Sequence, residues 1–201
     1  TDCPQRDERL GWTGDAQVFI KTAAYNMNVS SFFSKWLHDL KADQREDGAV
    51  PFVIPDPKDN ETAEIPEQER DDQKTASSAW GDAACICPWT LYEIYGDQRI
   101  LSEQYQSMKN WVEYIRAQGE NEYLWETGFH FGDWLALDAP ENSRIGLTAK
   151  EYIATAFFAH STRILKDTAE ILGKDDDCKK YNKLLEKIKD NFNQEFVTPN
   201  G

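Results

Sequence analysis

No stretch of this chain approaches the ~20 consecutive apolar residues that a membrane-spanning helix needs. The chain opens on TDCPQRDER rather than on a basic segment followed by an apolar one, so no signal peptide is read from it. The abrupt start suggests a longer parent from which an N-terminal part has been removed. Basic residues are also scarce: 22 Lys and Arg stand against 36 Asp and Glu, for a formal charge of -14. Such a field repels phosphate backbones and anionic headgroups, which makes nucleic acid and membrane surfaces poor partners. Histidine is nearly absent, and His38, His130 and His160 stand far apart. Of the four cysteines, Cys85 and Cys87 lie within an apolar run, while Cys3 and Cys178 are remote. Buried free thiols are the expectation, and no structural metal site is predicted, because zinc wants a second close pair or histidines at ligand spacing.

What the chain does have is buriable surface. Its 201 residues are 40% hydrophobic and include seven Trp, enough for one core and too much for a disordered chain. From Asp15 to about Gln44, Val18, Tyr25, Val29, Phe32, Trp36 and Leu40 recur at helical spacing, widened by Phe19, Phe33 and Leu37, which predicts one long amphipathic helix. Residues 46 to 74 hold Pro51, Pro55, Pro57 and Pro66 among acids such as Asp56, Asp59, Glu61, Glu64, Glu67 and Glu69. They read as an irregular excursion without the spacing of a calcium loop. A second helix runs through Trp80, Ala84, Cys87, Leu91 and Ile94 to a stop at Gly96, kinked or restarted by Pro88. Asp97 caps a third helix, with Leu101, Tyr105, Met108, Val112 and Ile115 as its stripe and Gly119 at its end.

Residues 120 to 147 lose the helical period and carry Trp125, Phe129, Phe131 and Trp134. A loop of that length and composition is expected to line a site. Thr148 and Glu151 have capping-box spacing ahead of a helix through Ile153, Phe157, His160, Ile164 and Ile171, read as buried, with His160 in the core. The run Asp175 to Asp177 reads as the capped, solvated start of a last helix with Cys178, Tyr181, Leu185, Ile188 and Phe192 on one face. No strand pair is evident, and the fold class is all-α, built as serial helix pairs. Trp36, Trp89 and Trp111 fall at core positions, and His130 reads equally as a sugar contact or a satisfied loop histidine.

The chemistry concentrates in the first seventeen residues, where Asp2, Arg6, Asp7, Glu8, Arg9, Trp12 and Asp15 crowd a segment broken by Pro4, Gly11 and Gly14. Carboxylates beside guanidiniums and an indole suit glycoside hydrolysis. One acid protonates the leaving oxygen, others hold hydroxyls, and an aromatic face meets the sugar's C–H surface. A salt-bridged helix entrance, with Asp15 at the positive end of the dipole, accounts for the same cluster.

DCPQRDERLGWTGDAQ resembles the signature segment of the bacterial and fungal α-L-rhamnosidases of glycoside hydrolase family 78, and AWGDAA and FGDWL match that family in order and rough spacing. The resemblance covers essentially the whole chain. It implies that residues 1–201 are a single unit, the N-terminal half or somewhat more of an (α/α)6 barrel catalytic domain, whose remainder is then a necessary partner. It implies that Glu8 is the general acid and that Asp2, Arg6 and Asp15 hold sugar hydroxyls. Trp12, Trp80 and Trp134 would wall a pocket for rhamnose, whose 6-methyl group is apolar. Asp7, Asp82 and Asp133 fall inside the motifs as supporting residues. No cofactor is implied.

The family inverts the anomeric centre, so a second carboxylate must activate water, and in relatives that Glu comes from a helix downstream of this stretch. Glu170, Glu186 and Glu195 lie in no motif and read as solvated helix faces. The expected function is hydrolysis of terminal α-L-rhamnosyl groups from glycans or glycosides. A non-catalytic carbohydrate-binding or interaction domain and another (α/α)6 glycosidase are the alternatives.

Overall fold

The computed structural model describes Asp7 and residues 9–56 and 76–198. These form six helices: α1 (Thr13–Asn26), α2 (Ser30–Asp43), α3 (Ala83–Tyr95), α4 (Gln98–Arg116), α5 (Lys150–Ile171) and α6 (Asp175–Phe196). The all-α expectation holds. Among the described residues the only extended pairings are two isolated bridges, Trp12 with Val53 and Trp134 with Ile145. α3 packs against α1, α2, α4 and α5, and α5 packs most extensively against α6. Short turns close the helix pairs at residues 27–29, 96–97 and 172–174, whereas the long connections all lead into the N-termini of α3 and α5. The aromatic and acidic motifs therefore collect at one end of the helices.

The local signals at the α3–α4 turn work as read. Gly96 sits at φ 69° and returns its N–H to the Tyr92 carbonyl at 2.8 Å, a left-handed cap that a Cβ would strain. Asp97 accepts the Arg99 N–H at 2.9 Å and starts α4. α4 stops at Arg116, ahead of Gly119, in a tightened last turn where the Ala117 N–H reaches the Tyr114 carbonyl at 3.0 Å. Pro88 neither ends nor restarts α3, which continues through it.

Three expectations need correction. The stretch 15–44 is two helices, because Met27 is extended, the Asn28 Oδ1 takes the Ser30 N–H at 3.1 Å, and the Val29 N–H donates to the Tyr95 hydroxyl at 3.1 Å. These side-chain acceptors offer the backbone an alternative to continuing the helix. The break rotates the two halves independently. Ile20, Phe33, Trp36, Leu37 and Leu40 are buried, and Val18, Phe19, Tyr25 and Phe32 are exposed. No capping box forms at Thr148, since α5 begins at Lys150 after Ala149 with no side-chain cap. His160 is exposed, whereas the adjacent Ser161 and Thr162 are buried, so the inward face of α5 runs through Ala154, Phe158, Ser161 and Leu165 and keeps only Ile164 of the stripe read in sequence fully buried.

The core is centred on fully buried Trp111 of α4 and its edge-on neighbour Trp125, with ring centroids 5.6 Å apart. Trp125 thus belongs to the core, and the long loop that carries it is anchored there rather than being wholly a site lining. Its N–H donates to the Thr155 hydroxyl of α5 at 3.1 Å. Gly81 admits Trp111: a Cβ at Gly81 would lie 2.3 Å from the indole Cη2. Beside it, the carboxylate of fully buried Asp82 accepts from Trp111 Nε1 (3.0 Å), Ser161 Oγ (2.5 Å) and the Ala79 N–H (2.8 Å). Burial pushes its pKa above the ordinary carboxylate value, while the bonds from Ser161, Trp111 and Ala79 pull it down. Cys85 and Cys87 are buried free thiols, raised in pKa chiefly by burial, and Cys178 is free and half-buried.

Replacing Asp82 by Ala strands two buried donors, Trp111 Nε1 and Ser161 Oγ, at about 1–3 kcal/mol each, and the part-buried Ala79 N–H. Asp82→Ala is therefore expected to lower unfolding stability by roughly 3 kcal/mol or more, read as a fall in the urea midpoint. An unchanged midpoint contradicts the role given to this carboxylate.

Candidate functional site

The segment entering α1 is held by the segment leaving α2. The Ile54 N–H donates to the Gly11 carbonyl at 2.9 Å, the Thr13 N–H and hydroxyl reach the Phe52 carbonyl at 2.8 and 2.9 Å, and Trp36 Nε1 donates to the Ile54 carbonyl at 3.1 Å. Trp12 is thereby fixed at the first turn of α1, half-buried, with Asp15 half-buried one turn on. The second motif arrives from α3. Asp82 holds the Ala79 N–H, Ala79 adopts φ 64°, and its carbonyl accepts from the Gln17 side-chain amide of α1. That turn lays the Trp80 indole on Gly14, where a Cβ would lie 2.7 Å from Trp80 Cε2. Glycine at position 14 is what permits α1 and the AWGDAA turn to approach so closely.

The third motif comes from the loop before α5, and it is latched to the second. The Phe131 N–H donates to Ser77 Oγ at 3.2 Å, and the Ser78 N–H donates to His130 Nδ1 at 3.2 Å with the Ser78 hydroxyl 3.1 Å from the same nitrogen. With Nδ1 accepting, His130 Nε2 carries the proton and donates to the Thr127 carbonyl at 3.1 Å. His130 is therefore a satisfied, buried loop histidine, and burial lowers its pKa to about 4.

These three segments meet in a second apolar cluster, separate from the main core, made of Phe52, Val53 and Phe131 with Leu10, Trp12, Trp80 and Phe129 packed on it. Phe131 is its hub. Ring centroids lie 4.1 Å away at Trp80, 5.6 Å at Trp134 and 6.2 Å at Trp12, with Phe129 and Phe52 at 4.9 and 5.2 Å. The three tryptophans named from sequence are thus brought together, and Trp134 keeps 38% of its surface exposed. Sequence reasoning missed Phe52 and treated Phe131 only as part of an aromatic loop. The signal available was its place at the head of FGDWL.

The carboxylates divide. Asp7 and Asp133 are exposed, the latter on a turn closed by the Gly146 N–H to its carbonyl at 2.8 Å. Asp82 faces the interior, where its partners are Trp111 and Ser161, and it reaches the aromatic cluster only through the Ala79–Trp80 turn. Asp2, Arg6 and Glu8 lie outside the described residues, as do Cys3 and the acidic loop beyond Asp56. Among the described residues no group of three or more His, Cys, Asp or Glu side chains could hold a metal ion. No described helix is long and apolar enough to cross a membrane.

The chain is similar in sequence and fold to known α-L-rhamnosidases. Residues 1–201 match the family model described as the bacterial α-L-rhamnosidase 6 hairpin glycosidase domain. The chain is 42% identical over 200 residues to an α-L-rhamnosidase of Alteromonas sp., covering 97% of this chain and 20% of that protein. It is 38% identical over 196 residues to one of Formosa agariphila, covering 98% and 20%. Among solved structures it is similar to the Streptomyces avermitilis α-L-rhamnosidase complexed with L-rhamnose, with a TM-score of 0.81 and 37% identity over 100% of this chain and 17% of that one. The native Aspergillus terreus enzyme gives 0.87 and 35% over 100% and 22%. The chain thus spans about a fifth of the length of the curated relatives named here.

The buried histidine makes a pH prediction. Its pKa is lowered from 6.5 to about 4 on folding, so between those values the unfolded state binds the extra proton. The contribution of His130 to stability is full above pH 6.5 and falls as pH drops toward 4, by up to about 3 kcal/mol. His130→Asn should flatten urea stability across that window, and an unchanged slope would argue against the assignment.

Proposed function

We propose that this chain, which belongs to the bacterial α-L-rhamnosidase six-hairpin glycosidase domain family, supplies the general acid and the aromatic wall of an enzyme that removes terminal α-L-rhamnosyl groups with inversion. In this reading residues 1–201 are the N-terminal half or somewhat more of an (α/α)6 barrel catalytic domain. The observation that carries it is the meeting of Trp12, Trp80 and Trp134 on Phe131, one tryptophan from each family-like motif. Rhamnose offers such a wall its ring C–H face and its 6-methyl group, while its hydroxyls need charged partners. Asp2, Arg6 and Asp15 fill that second role, and Trp12 and Asp15 stand one turn apart at the entrance to α1.

The reaction follows from two carboxyls on opposite sides of the sugar. Glu8, protonated, gives its proton to the glycosidic oxygen as the bond from that oxygen to the anomeric carbon breaks. Water attacks the same carbon from the opposite face and passes its proton to a carboxylate supplied by the rest of the catalytic domain. Written so, the step needs no cofactor. Of the supporting carboxylates, Asp82 acts through the turn that presents Trp80, and Asp7 and Asp133 lie at the exposed rim.

Two measurements on the full-length enzyme test this. Early proton NMR should show β-L-rhamnose as the first product, with the carboxyls ~6.5–9.5 Å apart. The α anomer appearing first would require a covalent intermediate and sink the inverting mechanism. Glu8→Gln should reduce turnover about a hundredfold or more on a rhamnosyl-sugar, and less on a nitrophenyl rhamnoside, whose leaving group departs with little protonation. Asp7→Asn should show no such dependence. Exchange of these behaviours would make Asp7 the acid.

A further inference from the structure

We propose that Phe131 is a positioning residue for the sugar pocket: its buried ring sets the mutual placement of Trp12, Trp80 and Trp134, and through them the fit of the pocket to a 6-deoxy sugar. The inference rests on the rhamnosidase reading above and adds to it a residue that acts through others.

Three observations carry it. Phe131 is only 8% exposed, so its ring is spent on side chains and not on a ligand. It makes three different ring contacts to the three tryptophans: a tilted stack on Trp80 at 4.1 Å and 32°, and edge-on contacts to Trp134 at 5.6 Å and 75° and to Trp12 at 6.2 Å and 84°. A planar group presents one face and two edges at fixed angles, which an aliphatic side chain of similar size does not, and aromatic pairs prefer these offset and edge-to-face geometries. Finally, its backbone is clamped on both sides. The Phe131 N–H is tied to Ser77 Oγ, His130 is held at both ring nitrogens, and Gly132 follows at φ 70°. The ring therefore has a fixed origin relative to the very turn that presents Trp80.

The consequence is selectivity. A wall held tightly against the methyl of rhamnose would leave the added 6-hydroxyl of L-mannose crowded and without a partner, a discrimination set here at about a hundredfold at most. Loosening the wall admits water beside that hydroxyl and erodes the preference. Ground-state and transition-state binding share the contact, so the loss appears in KM more than in kcat.

The test uses the full-length enzyme with nitrophenyl α-L-rhamnoside and nitrophenyl α-L-mannoside, each variant being first shown to melt as one transition. Phe131→Leu should raise KM for the rhamnoside about tenfold, change kcat by less than about threefold, and cut the rhamnoside-over-mannoside preference about tenfold. Phe131→Tyr, which keeps the ring, should restore most of both. A near wild-type Phe131→Leu overturns the proposal, and so does equal impairment of the two variants, since neither result requires the ring. Trp80→Ala separates the levels. If it raises the rhamnoside KM while Phe131→Leu does not, the rhamnosidase reading stands and the positioning role falls. If the wild-type enzyme leaves the rhamnoside intact, both fall.

Discussion

The buried carboxylate of Asp82 is the constraint from which the rest of the arrangement follows. It ties α4 through Trp111, α5 through Ser161 and the start of α3 through its own backbone, and its second oxygen holds the Ala79 N–H. An ionisable group with no access to water is tolerated only where its oxygens are met by donors. Three donors meet this one, and each comes from a different part of the chain. The same group that locks three helices also fixes the left-handed Ala79 and therefore the direction in which Trp80 leaves the core. Packing and site geometry are coupled at one residue, and a substitution there cannot disturb the first without moving the second.

Two glycines extend that coupling. Gly81 lets Trp111 reach Asp82, and Gly14 lets Trp80 lie on the first turn of α1. In both cases the contact is backbone against indole, closer than any side chain would allow. The Ser77 and Ser78 hydroxyls then carry the order outward to Phe131 and His130. The aromatic cluster is thus assembled in sequence from the core: carboxylate, turn, tryptophan, phenylalanine, and then the two outer tryptophans. Position in that chain separates Asp82, which touches no exposed surface, from Trp134, which retains some.

How much of this could be read beforehand depends on whether the determinant was local. Gly96 and Asp97 act within their own turn, and the end of one helix and the start of the next were legible from them. The split at Met27–Val29 was not, because half of its cause is the Tyr95 hydroxyl, which sits on α3. The residues flanking the break happen to keep helical spacing, so periodicity alone joins what tertiary contacts divide. Thr148 failed as a cap for the opposite reason: its spacing to Glu151 was right, yet the chain enters α5 one residue later. For the candidate site, the three tryptophans were singled out because motifs mark them, and their rings meet on Phe131. The hub that gathers them was not, since a phenylalanine in an aromatic loop carries no sign of which rings it will meet. Nor does a motif distinguish an acid that faces a ligand from one, like Asp82, that faces the core.

The topology explains why such motifs lie so far apart in sequence yet converge. Short turns at residues 27–29, 96–97 and 172–174 leave no room for chemistry at one end of the helices. The segment before α1 and the two long connections open at the other end: Trp12 and Trp80 lie immediately ahead of α1 and α3, and FGDWL lies in the middle of the connection to α5. Loops of that length are free to vary, but Trp12 and Trp80 are pinned by the helices they precede and Phe131 by its bond to Ser77. Placing Trp12 and Trp80 just ahead of helices, and tying Phe131 to the turn before α3, therefore gives these loop residues the rigidity of the core. In that position the buried ring of Phe131 joins the hydrogen bonds from Gln17 to the Ala79 carbonyl and from Phe131 N–H to Ser77 Oγ in holding the three segments together.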